Sequence, residues 1–328
     1  MTVESHEVII VGGGPAGSSC AWRLRHHGID CLVLDAQPFP RLKLCAGWIT
    51  PEVVRDLELD PASYPHRFLS FEHIHIHIRG LHYRMKDRQH SIRRLEFDHW
   101  LLQRSGAPVA VHNVRHIEKR NGHYLIDGRY RARYLVGAGG TRCPVYRSLF
   151  REHNPRAKAL QAVSLEQEFP YDWQDDGCHL WFFDNGLPGY SWYVPKADGY
   201  LNVGVGGMAH KLKARGDDIK RHWQFLTRAL ADKGLVNDFE FKPGGYSYYL
   251  RGDVDVGRVD NAFVIGDAAG LASRDMCEGI GPAVRSGLAA AESIATGAPY
   301  SLAHVDRYSI GNGLIHRLLE YMFVKRAA

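Results

Sequence analysis

Several features that mark large classes of protein are missing from this sequence. None of its 6 cysteines forms a C-x-x-C pair, so the usual zinc and thioredoxin spacings are absent. No apolar run reaches the roughly 18 residues that a membrane-spanning helix needs. The first residues have neither the basic region nor the apolar core of a signal peptide. These absences predict a cytoplasmic protein with reduced thiols.

The chain also lacks a strong charge of one sign. Lys and Arg number 41 against 36 Asp and Glu, a formal net charge of +5 over 328 residues. An excess this small argues against a nucleic-acid partner and leaves room for an anionic ligand or membrane surface. With 45% hydrophobic and 23% charged residues, the composition is that of a globular protein, and the length suggests about two domains. The 34 glycines exceed average usage.

The first organised segment reads as a βαβ unit. An apolar strand at residues 7–11 is followed by a glycine-rich turn, a helical pattern over residues 18–27 and a second apolar strand at residues 31–34. The turn carries G-x-G-x-x-G, with its glycines at Gly12, Gly14 and Gly17. This arrangement is the fingerprint of a dinucleotide-binding fold.

The spacing of these glycines has a physical reason. Gly12 permits the tight turn, Gly14 lets a diphosphate approach the backbone, and Gly17 lets the helix pack closely on the strand. The helix N-terminus offers free N–H groups to the diphosphate. Asp35, at the end of the second strand, is placed to bind a ribose hydroxyl.

A distant segment indicates which dinucleotide is bound. Residues 261–267 read as a buried strand that ends in Gly266-Asp267, and residues 281–296 read as a helix with Pro282 in its first turn. A carboxylate here can hold a ribityl hydroxyl, and a helix N-terminus can face the electron-rich end of a reduced flavin. Together with the first fingerprint, this segment predicts FAD.

Three further motifs give the chain a family resemblance. Residues 41–47 (RLKLCAG) resemble R-x-K-x-C-G-G, and residues 94–98 (RLEFD) resemble R-x-x-F-D. Residues 190–195 (YSWYVP), followed by Gly204 and Gly206, are similar to Y-x-W-x-F-P-x(7–8)-G-x-G. The chain thus resembles the geranylgeranyl reductase family of FAD-dependent oxidoreductases, which has the para-hydroxybenzoate hydroxylase fold. It departs from the pattern at Ala46 and Val194, and at Gly139, where the fold usually has an acid.

The resemblance implies a set of site residues. Those for FAD are Gly12, Gly14, Pro15, Ala16, Gly17, Asp35, Arg41, Lys43, Ala46, Gly47, Arg94, Gly139, Gly266, Asp267, Gly279 and Ile280. Those for the substrate are Tyr190, Trp192, Pro195, Gly204 and Gly206. Cys45 is the candidate catalytic residue; it could protonate a carbon centre, shape the pocket or simply pack. A redox pair of Cys45 with Cys277 is a further hypothesis.

The predicted fold class is α/β: a Rossmann-like FAD-binding domain into which an antiparallel β-sheet substrate domain is inserted, giving an α+β second part. We expect residues 1–68, 93–148 and 255–328 to form the FAD-binding domain, and residues 69–92 and 149–254 to form the substrate domain. Within the latter, residues 69–78 alternate strictly and place three histidines on one strand face. Side chains two residues apart stand about 7 Å apart along a strand, so the pattern favours a polar sheet face and predicts no metal site.

The resemblance implies reduction of carbon–carbon double bonds in a prenyl group by hydride from N5 of reduced FAD. A flavin-dependent monooxygenase or hydroxylase of the same fold, and a non-catalytic redox-sensing flavoprotein, remain alternatives. Since the chain has one G-x-G-x-x-G, its electron donor would be a transiently docked NAD(P)H or a reduced ferredoxin-type protein. Residues 314–325 are apolar with basic residues and could contact the inner face of a membrane or pack on the FAD domain.

Overall fold

The computed structural model describes residues 3–253, 255–309 and 321. Its strands are β1 (Glu4–Val11), β2 (Cys31–Asp35), β3 (Trp48–Ile49), β4 (Leu69–Ile78), β5 (Leu81–Ser91), β6 (Val109–Val111), β7 (Ile117–Arg120), β8 (His123–Ile126), β9 (Tyr130–Gly137), β10 (Gln161–Pro170), β11 (Cys178–Phe182), β12 (Gly189–Lys196), β13 (Tyr200–Met208), β14 (Gly244–Tyr249), β15 (Arg258–Val259) and β16 (Ala262–Val264). Its helices are α1 (Pro15–His26), α2 (Pro51–Asp56), α3 (Arg94–Arg104), α4 (Ala209–Ala214), α5 (Ile219–Asp232) and α6 (Ile280–Thr296).

The chain divides into two compact units, each built from separate stretches of sequence. The first contains residues 1–41, 95–157 and 248–309, and the second contains 42–94 and 158–247. The stretch 42–68 groups with the second unit because β3 pairs with β5 there. On the sequence alone, residues 42–68 were instead assigned to the FAD-binding domain. Which stretches bind FAD and which bind the substrate remains a prediction.

The first unit is built on a largely parallel sheet in the order β15-β16-β9-β1-β2-β6. The strands β1, β2, β6, β9 and β16 are paired in parallel, and the β7–β8 hairpin joins at β9. All of β2 and residues 8–11 of β1 are buried, as their continuous apolar runs predict. Buried residues of α1 and α6 pack against one face of this sheet. The predicted Rossmann-like α/β architecture is confirmed.

The second unit is a mixed sheet in the order β14-β10-β13-β12-β11-β4-β5-β3. The meander β10-β13-β12-β11 and the hairpin β4–β5 are antiparallel, whereas β4 and β11 pair in parallel. The sheet is antiparallel along these pairs, as predicted, and departs from that prediction at the β4–β11 junction. The reason is that β4 and β11 belong to separate stretches of the chain, so no tight turn forces them to run in opposite directions.

The two faces of this second sheet have different chemistry. Strand alternation places Phe169, Tyr193, Val203 and Val205 on one face, where they pack with apolar residues of α5. The opposite face carries Ile74, Ile76, Leu180, Phe182, Tyr190 and Trp192, by the same alternation and the registers of β4, β11 and β12. We call this second set the aromatic face. This side of the sheet also carries Gly204 and Gly206, so it contains the residues that the sequence assigns to substrate, with the exception of Pro195.

The histidines of β4 lie on the other side of the strand from its isoleucines, as predicted. Nε2 of His77 lies 3.0 Å from Nδ1 of His179, and Nδ1 of His75 lies 3.1 Å from Nε2 of His82. The rings of His77 and His82 also stack, with centroids 4.6 Å apart. Among the described residues, no group of three or more His, Cys, Asp or Glu side chains is arranged to hold a metal ion. Burial and the neighbouring histidines lower the pKa of His77 to about 4.

This histidine cluster should make the protein sensitive to mild acid. In the unfolded chain His77 takes up a proton near its usual pKa of about 6.5, whereas the folded state resists protonation down to about pH 4. The free energy of unfolding should therefore fall as the pH drops from about 6.5 to 4. Urea titrations across that range should show a shallower decline for His77→Gln and an unaltered one for His153→Gln, an exposed histidine. Parallel profiles for all three proteins would contradict this account.

Neither unit contains a helix that could cross a bilayer, as far as the described residues go. The stretch 314–325, for which membrane contact was left open, lies outside those residues.

Candidate functional site

The glycine-rich turn lies at the carboxyl end of β1, and backbone atoms crowd two of its glycines. Gly12 has φ +112°, and a Cβ there would overlap the carbonyl oxygen of Ala138. A Cβ on Gly17 would overlap the carbonyl oxygen of Gly12. Both positions therefore need glycine for the fold itself, because the atoms in the way are backbone atoms that cannot move aside.

Gly14 differs from its two neighbours in the motif, because one side of it is open. Its φ is −73°, which any residue can adopt, and a Cβ would meet only a terminal nitrogen of Arg41 at 3.8 Å. No side chain caps α1, Pro15 begins the helix, and its first turn contains no acidic residue. The first turn, which includes Ala16, begins beside the open side of Gly14, and a helix N-terminus carries free N–H groups and a partial positive charge. These residues fit the diphosphate of FAD.

Asp35 lies at the end of β2 beside this turn. One of its carboxylate oxygens accepts a hydrogen bond from the Gly13 backbone N–H at 2.8 Å. The same oxygen lies 3.4 Å from a guanidinium nitrogen of Arg41, whose group also stacks on Phe39 with 4.5 Å to the ring centroid. The carboxylate is thus fixed next to the glycine turn, where a ribose hydroxyl was predicted, and that role remains a prediction.

The segment after β16 meets the same turn. Gly266 has φ +58°, its N–H donates to the Ser286 hydroxyl at 2.9 Å, and a Cβ on it would come within 3.0 Å of the Ala16 Cβ. Asp267 follows, and its Oδ1 would lie 3.3 Å from a Cβ placed on Gly279, the residue before α6. The structure therefore places the Gly-Asp pair, the start of α6 at Ile280 and the glycine turn next to one another.

The segment after β9 is packed against the same turn. The Cβ of Ala138 would lie 3.2 Å from a Cβ placed on Gly17. Gly139 follows it at φ −75°, and a Cβ there would meet the Cα of Cys143 at 3.2 Å. An acid in this position, as the fold usually has, would therefore crowd the backbone of Cys143.

Two residues of this unit were missed by the sequence analysis. Arg156 donates to the backbone carbonyls of Thr141, Asp267 and Ala268, and so ties the segment after β9 to the Gly-Asp segment. Glu278 accepts a hydrogen bond from the Gly281 N–H at 2.6 Å and thereby caps α6. Burial raises the pKa of Glu278 to about 7. A negative charge next to a helix N-terminus is favourable, so the glutamate just before this alanine-rich helix was a signal that the sequence offered.

In the second unit, residues 43–47 form a loop that is held by two buried side chains. Lys196 is 0% exposed and donates to the backbone carbonyls of Ala46, Gly47 and Ile92. Asn202 donates to the Cys45 carbonyl at 3.3 Å. Gly47 has φ +70°, and a Cβ on it would overlap the Ile92 carbonyl, so only glycine fits.

The side chains of this loop are also positioned. The Cys45 sulfur accepts a hydrogen bond from the Gly47 N–H at 3.4 Å, and the thiol is partly exposed. The Lys43 ammonium lies 3.3 Å from the ring centroid of Tyr246. Arg94 begins α3 and is 7% exposed. Among the predicted FAD residues, Lys43, Ala46 and Gly47 therefore lie together in the second unit, whereas the glycine turn and the Gly-Asp pair lie in the first.

The predicted substrate residues lie on β12 and β13, and four of the five share the aromatic face. The Trp192 indole lies across Gly204 so closely that a Cβ there would overlap the ring, and its Nε1 donates to Asn202 at 2.7 Å. Tyr190 is 8% exposed and its ring lies 5.9 Å from that of Trp192, centroid to centroid. By strand alternation Pro195 points to the opposite side from Trp192, so it is the exception.

Cys277 is a free thiol, as is Cys45. Burial raises the pKa of Cys277 to about 12. A thiol of that pKa provides almost no thiolate near neutral pH, and disulfide exchange proceeds through the thiolate. The hypothesis of a Cys45–Cys277 redox pair therefore gains no support from this side chain.

Comparisons with known proteins agree with this geometry. Residues 10–67 match the family model of the NAD(P)-binding Rossmann-like domain. An uncharacterised protein of Methanosarcina barkeri is 30% identical over 90% of this chain and 76% of its own length. The menaquinone reductase of Mycobacterium tuberculosis is 29% identical over 96% of this chain and 83% of its own length. Digeranylgeranylglycerophospholipid reductase 2 of Methanopyrus kandleri is 25% identical over 80% of this chain and 70% of its own length.

A solved structure shows the same fold. The geranylgeranyl bacteriochlorophyll reductase-like protein of Thermoplasma acidophilum superposes with a TM-score of 0.77 over 98% of this chain and 83% of its own, at 18% identity. The fold, the relatives and the flavin motifs agree on one class of enzyme. The chain belongs to the geranylgeranyl reductase family of FAD-dependent oxidoreductases.

Proposed function

We propose that the protein reduces carbon–carbon double bonds of a prenyl group. The observation that carries this proposal is the aromatic face of the second sheet, on which Tyr190 and Trp192 are 8% and 5% exposed beside Ile74, Leu180 and Phe182. Such a surface suits an apolar chain and excludes water from it. Two relatives support a reduction: their names describe reductases, one of a menaquinone and one of a digeranylgeranyl lipid.

Different residues of the first unit would bind different parts of FAD. The α1 N-terminus with Gly14 would take the diphosphate, Asp35 a ribose hydroxyl, and Asp267 the ribityl chain, each as its position in the first unit suggests. When bound and reduced, FAD supplies a hydride from N5. The remaining task of the protein is to orient the double bond, keep water out and provide a proton.

Cys45 is proposed to lie at the reacting end of the substrate pocket. Its backbone is held by Asn202, and its sulfur accepts the Gly47 N–H, which leaves the S–H proton free to point elsewhere. The Cys45→Ser variant distinguishes a role as proton donor from a role in lining the pocket.

The source of electrons is part of the proposal. With one G-x-G-x-x-G in the sequence, either NAD(P)H docks transiently or a reduced ferredoxin-type protein delivers electrons. We place the enzyme in the cytoplasm, in peripheral contact with the inner face of a membrane, because a prenyl substrate is lipid-like.

An anaerobic oxidation experiment tests the proposal. The purified yellow protein is reduced with dithionite, freed of excess reductant and mixed with geranylgeranyl lipid or menaquinone vesicles in the absence of oxygen. Oxidation of the flavin, with a product two mass units heavier per saturated bond, is the expected result.

The same preparation tests the alternatives when it is mixed with air. A C4a-oxygen adduct that lasts for seconds, without any reaction with prenyl compounds, would favour a monooxygenase. A protein inert to oxygen and to prenyl compounds would favour a redox-sensing flavoprotein. Either result would overturn the proposed reduction.

A further inference from the structure

One buried carboxyl group outside all of the sequence motifs has no assigned role. Glu166 lies on β10, is 2% exposed, and its Oε1 is buried without a hydrogen-bond partner. A buried, unpartnered carboxyl oxygen is costly, because the group loses hydration and gains no bond in exchange. Such groups are kept where a ligand or a reaction uses them.

Glu166 lies on the aromatic face. It is directly opposite Gly204 on β13, and Gly204 is in turn opposite Trp192 on β12. The indole of Trp192 lies across the bare Gly204 backbone between them. The carboxyl therefore belongs to the same cross-strand row as two of the predicted substrate residues, Trp192 and Gly204.

Three cations surround Glu166 without neutralising it by a direct ion pair. Lys43 of the 43–47 loop, Lys196 of β12 and Arg94 at the start of α3 favour its charged form, while burial and Glu168 of β10 oppose it. Burial dominates, and the pKa of Glu166 is raised to about 7. An acid in this range holds a proton near neutral pH and can also release it, which is the property of an efficient general acid.

The proposed reaction needs such an acid. Saturation of a double bond adds a hydride to one carbon and a proton to the other, and an apolar pocket excludes water as the proton source. We propose that the Glu166 carboxyl group donates this proton to the prenyl double bond, an inference that rests on the proposed function.

The step balances. The hydride and its electron pair form a new C–H bond at one carbon, and the π bond breaks. The O–H bond of Glu166 also breaks, and its proton forms a C–H bond at the other carbon. The flavin is oxidised by two electrons and the alkene is reduced by two. The carboxylate that remains is stabilised by Lys43, Lys196 and Arg94 and regains a proton from solvent before the next turnover.

The first test uses the purified protein without turnover. Infrared difference spectra between pH 5 and 9 should show a carboxylic acid C=O band that disappears with a midpoint near the pKa of about 7 and is missing from Glu166→Gln. Glu278 has a similar pKa, so Glu278→Gln identifies its separate band. If the spectra of Glu166→Gln show the same titrating bands as those of the wild type, the proposal is overturned.

The second test measures the proton-transfer step. Prereduced protein is mixed anaerobically with the prenyl substrate, and flavin oxidation is followed across the same pH range. Loss of a general acid costs about a hundredfold or more, so Glu166→Gln should be slower by that factor, with Glu166→Asp intermediate. The wild-type rate should fall as the pH rises above about 7, and this dependence should vanish in Glu166→Gln.

Two controls make the outcome specific. Glu72→Gln, an exposed glutamate on the same sheet, should keep both the rate and the pH profile. If Glu166 is the proton donor, the rate of flavin oxidation in Cys45→Ser should keep its dependence on pH. If Cys45 is the donor, that dependence should disappear in Cys45→Ser. Equal rates for Glu166→Gln and wild type would overturn the role of Glu166. A wild-type protein that no prenyl compound oxidises would instead overturn the proposed function.

Discussion

Alanine in place of Gly14 is expected to leave the apoprotein folded and to deprive it of FAD. A Cβ at this position meets no protein atom closer than 3.8 Å, and the backbone φ of −73° suits alanine. The added methyl group would occupy the space into which the diphosphate must come to reach the helix N-terminus. Unfolding of the apoprotein should therefore be unchanged, while FAD affinity falls about tenfold or more, equivalent to about 1.4 kcal/mol.

Two matched glycine variants complete this experiment, with FAD binding followed by fluorescence quenching and unfolding by urea. Gly17→Ala should destabilise the apoprotein itself, because its Cβ would overlap the Gly12 carbonyl. Gly28 has φ +68°, and a Cβ on it would meet no atom within 4 Å. Gly28→Ala therefore introduces backbone strain without a steric overlap and should retain FAD affinity. If Gly14→Ala binds FAD as tightly as wild type, the diphosphate does not approach this turn.

The local elements were readable from the sequence because each had a clear physical signal. The alternation of residues 69–78 predicted β4 with the correct faces, and glycine-bounded apolar runs predicted β1 and β2. The helix with Pro282 in its first turn is α6, which begins at Ile280. Motif spacing was equally informative, since the glycines at 12, 17 and 266 each lie where a side chain would strike a neighbouring residue.

Long-range pairing was less accessible. The parallel contact of β4 with β11 joins residues that are about a hundred positions apart, and no turn residue signals it. Pro195 was grouped with Trp192 because both belong to one motif. The two residues are an odd number of positions apart, however, so the strand turns their side chains to opposite sides.

The polar contacts of the site could not be predicted for a related reason. Glu166 and Arg156 lie in segments without a motif, and Lys196 occupies an unspecified spacer position of the Y-x-W-x-F-P-x(7–8)-G-x-G stretch. The role of each depends on atoms that only folding brings close. A glutamate in an alternating strand is more often exposed than buried. Glu166 is buried next to a glycine and an indole that come from two other strands, so its burial depends on how β10, β13 and β12 pair.

Replacement of Lys196 by methionine is expected to be among the most damaging single changes in the second unit. The Lys196 ammonium is fully buried and is hydrogen-bonded to the carbonyls of Ala46, Gly47 and Ile92. Without it the buried carbonyls of Gly47 and Ile92 and the half-buried carbonyl of Ala46 lose a donor, at about 1–3 kcal/mol for each buried group. The variant no longer has to desolvate an ammonium group, which offsets only part of this loss. We expect the free energy of unfolding to fall by about 3 kcal/mol.

The loss should be localised at the loop that carries Cys45. Trypsin should cleave Lys196→Met faster at Lys43, because residues 43–47 are no longer held, whereas Lys213→Met, an exposed lysine, should match wild type in both measurements. Lys196 also favours the charged form of Glu166, so its removal should raise the pKa of Glu166 and move the high-pH decline in rate to higher pH. Unchanged stability and cleavage in Lys196→Met would show that the loop is held by other contacts, whereas a destabilised variant with an unmoved pH profile would separate the structural role of Lys196 from its effect on Glu166.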